Sequence, residues 1–271
     1  MVGLAKSEID ELCENYEDFR TPDNCGPGSI HKFLENMNLQ HSVQPFLMSE
    51  LIQIDIQLNW MSWDKNLARL LENSEVSKVL QALLKIPRMT DYIWFDLQHP
   101  SILEHDVLLK MAECEMESRE QWGDAIGATY YKSKFGILLP RDPHCPIVNL
   151  ACRSDETSRF REVASFTVRG KTVFGRQRST DPDELLEEES AEGNRIIVAC
   201  KTDATISREQ LAVQVLSRRY AIVTNLSNVN AVDVEGVGPL QPANSIVVAF
   251  DFSVRLPSKR LKRLHFQSSR K

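Results

Sequence analysis

Long apolar runs are absent. The most apolar stretches, such as Ser245 to Phe250, are about six residues long, against the roughly 18 to 20 that a spanning helix needs, so no membrane span is expected. The N-terminal stretch is acidic instead of basic then apolar, which argues against a secretory signal. The 6 cysteines are scattered over 271 residues without a CxxC pair. That excludes a disulfide framework and fits free thiols in a reducing cytosol, so a cytoplasmic chain is expected. Glycine and proline, 11 and 12 residues, are too few for collagen-like or low-complexity chains. Catalytic signatures are also missing. No phosphate-cradling glycine loop, HExxH, GxSxG or kinase signature occurs, so neither an enzyme nor a cofactor is expected. His144, Cys145 and Cys152 form the nearest metal candidate, but they lack a fourth ligand at zinc spacing, and no metal is expected.

What is present is a globular composition of 42 % apolar and 26 % charged residues with a net charge of −6. The charge is uneven: residues 1–140 carry 12 Lys/Arg against 22 Asp/Glu, while residues 141–271 carry 20 against 16. A basic tail over 258–271 gives no broad basic face on so acidic a chain, so nucleic-acid binding is not expected.

The first half has helical periodicity. Ile9, Leu12, Tyr16 and Phe19 step by three and four before a turn-rich stretch from Thr21 to Gly28. Ser29 is a candidate N-cap, Pro45 a candidate helix start, Ser74 a further cap, and Ser101 with Glu104 a capping-box pair. A bundle of roughly six helices is expected over 1–139. A weak internal echo lays Leu51–Asp64 on Met111–Asp124. Pro140, Pro143 and Pro146 suit neither a helix interior nor a central strand, so 140–154 reads as a linker.

After the prolines the period becomes two. Short β-branched and aromatic runs at Phe166–Val168, Ile196–Val198, Leu211–Val215, Tyr220–Ile222 and Ile246–Phe250 predict an all-β sandwich over 155–257. The fold class expected is therefore α+β in two domains, a helical bundle followed by the sandwich. Residues 177–194 contain seven acids against Arg178 and read as a solvated acidic insertion, which could compete with a ligand for Arg176. The tail 258–271 reads as a disordered end.

One constellation bears on function. Gly175-Arg176, Ser207-Arg208-Glu209-Gln210 and Asn225-Leu226-Ser227-Asn228-Val229-Asn230 each follow a strand-like run. Strand ends of a sandwich gather loops on one edge. Two guanidiniums, a serine hydroxyl and asparagine amides are chemistry for a phosphate on a peptide.

These three segments resemble the signature of forkhead-associated (FHA) domains, over about residues 155 to 256. The resemblance implies an eleven-stranded sandwich and a phosphothreonine-containing protein or peptide as partner. By the same resemblance Arg176 and Ser207 would contact the phosphate, Arg208 would assist, and Asn228 and Asn230 would face the peptide, Asn230 fixing its main chain. Gly175 and Gln210 would be structural members of the motif. Four positions depart from the family pattern: Gln210 stands for His, Ala231 for Gly, Asn225 for Asp, and Val229 for a phosphate-touching Ser/Thr. Phe19-Arg20, Phe33-Leu34-Glu35, Leu51–Ile56 and Tyr131–Phe135 are similar to the helical segment preceding the catalytic domain of some bacterial serine/threonine kinases. That likeness implies an adaptor in bacterial phosphosignalling with a kinase as a possible partner. The alternative is a structural interaction scaffold whose sandwich has lost phosphate recognition.

Overall fold

Apolar residues spaced by three and four need a helix to share a face, and the first half folds accordingly. The computed structural model describes residues 4–21, 25–39, 45–95, 105–124, 126–152, 161–182, 186–190, 193–258 and 262–268. Among these, the first half forms α1 (Lys6–Phe19), α2 (Pro27–Asn36), α3 (Pro45–Asn73), α4 (Val76–Leu84), α5 (Met89–Phe95), α6 (His105–Trp122) and α7 (Ala128–Phe135). The long helices α3 and α6 pack along each other; α3 contains the first segment of the internal echo, and the second runs from α6 two residues past its end. Trp60, Leu51, Ile52 and Met111 are fully buried in the shared core, each such side chain contributing roughly 1.5 to 3 kcal/mol. No described helix is long and apolar enough to cross a membrane.

Two caps differ from expectation. Gly26, at φ 85°, is the N-cap of α2 and Pro27 follows it. Proline suits the first helical position because its missing N–H has no partner there anyway, and this places Ser29 inside the helix, buried. Glu75 instead of Ser74 caps α4. The Ser101–Glu104 pair lies outside the described residues, as do Pro22, Asp23 and Asn24 of the turn.

A single carboxylate ties the N-terminal helices together. Asp55 on α3 is fully buried and accepts from the Tyr16 hydroxyl at 3.0 Å, Arg20 Nε at 2.6 Å, the Gly26 amide at 2.7 Å and the Tyr92 hydroxyl at 2.5 Å. Burial and the adjacent Asp55 charge push the Tyr16 and Tyr92 phenols up, which keeps both as donors.

The second half forms twelve strands: β1 (Ile147–Cys152), β2 (Arg161–Thr167), β3 (Lys171–Arg176), β4 (Glu187–Ser190), β5 (Gly193–Ala199), β6 (Leu211–Val215), β7 (Tyr220–Asn225), β8 (Val232–Val234), β9 (Gly238–Leu240), β10 (Ser245–Ala249), β11 (Phe252–Leu256) and β12 (Lys262–Gln267). They make two six-stranded sheets, β2-β1-β12-β11-β8-β9 and β10-β7-β6-β3-β5-β4. All pairings are antiparallel except β3 with β5. Phe174 of one sheet meets Phe266 of the other edge-on at 5.5 Å between ring centroids.

Three segments depart from the sequence expectations. The linker 140–154 contains β1, which pairs with β2 and β12; its prolines end just before the strand, where they cost no ladder hydrogen bond. The tail contains β12, held between β1 and β11. Its basic residues hide a period of two, because Leu264 and Phe266 point into the core while Lys262 and Arg263 mark it as polar. The insertion 177–194 contains β4, an edge strand antiparallel to β5. Among the described residues its acids pair with other arginines: Asp181 with Arg195, Glu188 with Arg195, and Glu189 with Arg169.

The two halves share a seam. Along β7, Ala221 and Val223 face the sandwich core, while the intervening Ile222 joins the helical core, as does Leu216. Trp63 Nε1 donates to the Leu216 carbonyl at 2.9 Å, and Arg218 Nε to the Glu120 carbonyl at 2.9 Å. The helices therefore cover part of the outer face of the β10-β7-β6-β3-β5-β4 sheet.

Candidate functional site

The ends of β3 and β7 and the 200–210 loop meet at one edge of this sheet. The approach of β3 to the loop explains Gly175: a Cβ there would lie 1.9 Å from the Arg208 carbonyl oxygen, so no side chain fits. The Arg176 amide donates to the Ser207 carbonyl at 3.0 Å, and the Gln210 amide to the Phe174 carbonyl at 2.8 Å. The loop is thus stitched to β3 on both sides of the glycine.

Buried amides build the rest. Gln210, fully buried, accepts from the Ser207 amide through Oε1 at 3.0 Å and donates from Nε2 to Asn225 Oδ1 at 3.2 Å. Asn225 donates to the Asn230 and Leu240 carbonyls at 2.9 and 3.0 Å and accepts from the Ser227 amide at 3.1 Å. The substitutions for His and Asp therefore form a complementary amide pair, which satisfies a buried network without a charge.

Ser227, 1 % exposed, organises the loop tip. Its Oγ accepts from the Val229 and Asn230 amides at 3.2 and 3.1 Å and lies 3.0 Å from Ser207 Oγ. With both lone pairs occupied by the two amides, the Ser227 hydroxyl donates to Ser207 and leaves the Ser207 hydrogen unspent in this pair. Sequence reasoning missed Ser227. Its signal was the Asn-x-Ser-x-x-Asn spacing, in which short side chains cap the turn two and three residues on.

The structure brings Gly175, Arg176, Ser207, Gln210 and Asn230 into one hydrogen-bonded cluster, with Arg208, Asn228 and Val229 exposed around it. Arg176 Nη1 donates to the Lys201 carbonyl at 2.8 Å, which aims the guanidinium along the loop. Arg208 has no side-chain ion pair among the described residues. Asn230 Nδ2 is engaged, donating to the Thr205 carbonyl at 2.9 Å, so this amide staples two loops. Val229 is 80 % exposed at the tip. In the same loop, the hydroxyl of Thr202 holds the exposed Cys200 thiol below its ordinary range.

The proline-side candidates are separate. His144 Nδ1 lies 2.7 Å from Glu120 Oε1, and burial pushes the Cys145 thiol up to about 12. Among the described residues no group of three or more His, Cys, Asp or Glu could hold a metal ion.

No protein-family model matches this chain, and no curated protein matches it. Among solved structures, it is similar to the yeast Pml1 splicing factor, at 16 % identity and a TM-score of 0.34, over 55 % of this chain and 95 % of that one. It is also similar to the N-terminal FHA domain of S. cerevisiae Rad53p in complex with a phosphothreonine peptide (8 % identity, TM-score 0.27, 45 % and 93 % of the two chains). A third is the FHA domain of the CT664 protein from Chlamydia trachomatis (14 % identity, TM-score 0.29, 45 % and 97 %). What this chain binds is decided by its own residues.

Proposed function

We propose that this edge binds a phosphothreonine-containing segment of another protein, and that the chain is a non-enzymatic adaptor in serine/threonine phosphosignalling. The observation that carries the reading is the Ser207 hydroxyl. Ser227 supplies it with a hydrogen bond, the Arg176 amide fixes its backbone, and the exposed Arg208 follows it directly in the chain. A phosphate there would gain forked charge-assisted donors from the arginines and an O–H donor from the serine, while the exposed Asn228 at the loop tip is free to meet the peptide. Because the network below is neutral and fully paired, the arginine charges have no buried counter-ion to leave.

A second reading is a scaffold that keeps the sandwich without phosphate recognition. It is favoured by Val229, which offers no donor where the resemblance implies a hydroxyl, and by the engagement of Asn230 Nδ2 with Thr205. Titration of the full chain with a phosphothreonine peptide library, beside the same library unphosphorylated, separates the two. Phosphate-dependent binding that Arg176→Ala removes supports the first reading. Indifference to phosphate sinks it.

A further inference from the structure

The helices do not cover the outer face of the β10-β7-β6-β3-β5-β4 sheet completely. A groove of about 930 Å3 remains between them, with Val173 and Ala212 of the sheet on its floor and Leu80 and Tyr130 of the helices on its wall. It opens at the recognition edge. Arg178, Glu209 and Leu226 line that end, and each lies within two residues of Arg176, Arg208 or Ser227. Gly170 and Lys171 line the other, the full length of β3 away, which is about 20 Å for six extended residues.

The charges along the groove are unbalanced. Its carboxylates are all engaged: Asp124 by Arg119, Glu188 by Arg195, Glu189 by Arg169 and Glu209 by Arg178. Lys134 and Lys171, which also line it, have no carboxylate partner among the described residues. Arg119 lines it too, with a side chain 1 % exposed and Glu115 3.6 Å from Nη1. That guanidinium is taken up by Glu115 and Asp124, so the spare cations of the groove are its two lysines. An apolar floor with spare cationic donors suits a chain that alternates aliphatic and acidic side chains.

We infer that the groove takes the segment flanking the phosphothreonine in the bound partner, an extended stretch of about six residues rich in Asp or Glu and aliphatic residues. The inference rests on the phosphothreonine reading above. It assigns partner choice to the junction of the two halves, with the loops reading the phosphate and the junction reading its neighbours.

Two synthetic peptides test it on the full chain. One is a five-residue phosphothreonine peptide that reaches only the edge, and the other is a twenty-residue peptide with phosphothreonine at its centre and alternating Glu and Leu on both sides. The long peptide is expected to bind at least about tenfold more tightly. The double charge reversal Lys134→Glu/Lys171→Glu, at exposed positions that leave the fold intact, should abolish that advantage without changing affinity for the short one. Ala212→Trp, which fills the floor, should act in the same direction, and Arg176→Ala should weaken both peptides. Equal affinity of the wild type for both peptides, or an advantage that survives the charge reversal, overturns the groove while the edge reading stands. If neither peptide binds the wild type in a phosphate-dependent way, the edge reading falls and the groove falls with it.

Discussion

Two buried polar clusters of the molecule are built on opposite principles. In the helical half a charged carboxylate, Asp55, gathers donors from α1, α5 and the start of α2, with the Arg20 guanidinium only 5 % exposed beside it. In the sandwich, Gln210, Asn225 and Ser227 form a neutral web, and the charges it supports, Arg176 and Arg208, stay at the surface. Burying an ion is costly unless every partner is in place, so the Asp55 cluster locks one arrangement of helices. Neutral amides are desolvated at less cost and can shape loops while leaving charge outside for a ligand. The first cluster serves the fold, and the second holds a surface in readiness.

The sharpest way to break this contrast is Asp55→Ala. It leaves the Arg20 guanidinium with only the Asn59 amide oxygen and takes the acceptor from the Tyr16, Tyr92 and Asn59 side chains and the Gly26 amide, and should cost about 3 to 5 kcal/mol. Urea unfolding followed by circular dichroism measures it, and a loss under about 1 kcal/mol would show that the cluster is not the anchor of the helices. Gly175→Ala comes next. Its Cβ cannot coexist with the Arg208 carbonyl, so β3 and the 200–210 loop must part, at about 2 to 3 kcal/mol. Phosphopeptide binding should vanish, although no ligand-contacting side chain has changed.

Ser227→Ala should be milder in stability, about 1 to 2 kcal/mol from the Val229 and Asn230 amides that lose their acceptor. Its signature is functional: binding should weaken along with that of Ser207→Ala, and the double variant should lose less than the sum, since the two hydroxyls act as one unit. Arg176→Ala is expected to move stability by no more than about 0.5 kcal/mol while removing phosphate-dependent binding, and thermal unfolding beside peptide titration checks both at once.

The smallest effect concerns the seam between the regions. Burial alone would raise the Glu120 carboxyl, but hydrogen bonds from Arg141 and His144 hold it below its ordinary range. A carboxylate lowered in the folded state adds stability above its unfolded value, about 4.3, and loses it as pH falls through the lower folded value. Glu120→Gln should therefore flatten the acid limb of the stability profile. A variant whose acid limb matches the wild type would remove Glu120 from the linkage.

Much of this was legible because it is local. Ile9, Leu12 and Tyr16 announce a helix by their spacing alone, and the alternation in Leu211–Val215 announces a strand, since each pattern repeats with the geometry of its own backbone. The same local reading failed where composition masked the pattern. In β12 only Leu264 and Phe266 mark a strand among basic residues, and in β4 three glutamates form an edge whose pairing with β5 supplies what the side chains do not. The motif segments of the edge were legible as three separate spacings, yet nothing local could show that Asn225 and Gln210 compensate each other's departures from the family pattern.

By itself, then, the sequence determined a helical first half followed by short strands, and the residue types at each loop, because propensity and periodicity act over a few neighbours. Only the tertiary structure decided that Gly175 must lack a side chain, that Ser227 orients Ser207, and that Asp181, Glu188 and Glu189 pair with Arg195 and Arg169. It also placed Ile222 in the helical core while its neighbours on β7 entered the other. Those outcomes depend on contacts between segments far apart in the chain, such as Trp63 and Leu216 at 153 residues, whose separation in sequence says nothing of their distance until loop-closure entropy has been overcome by a packed core.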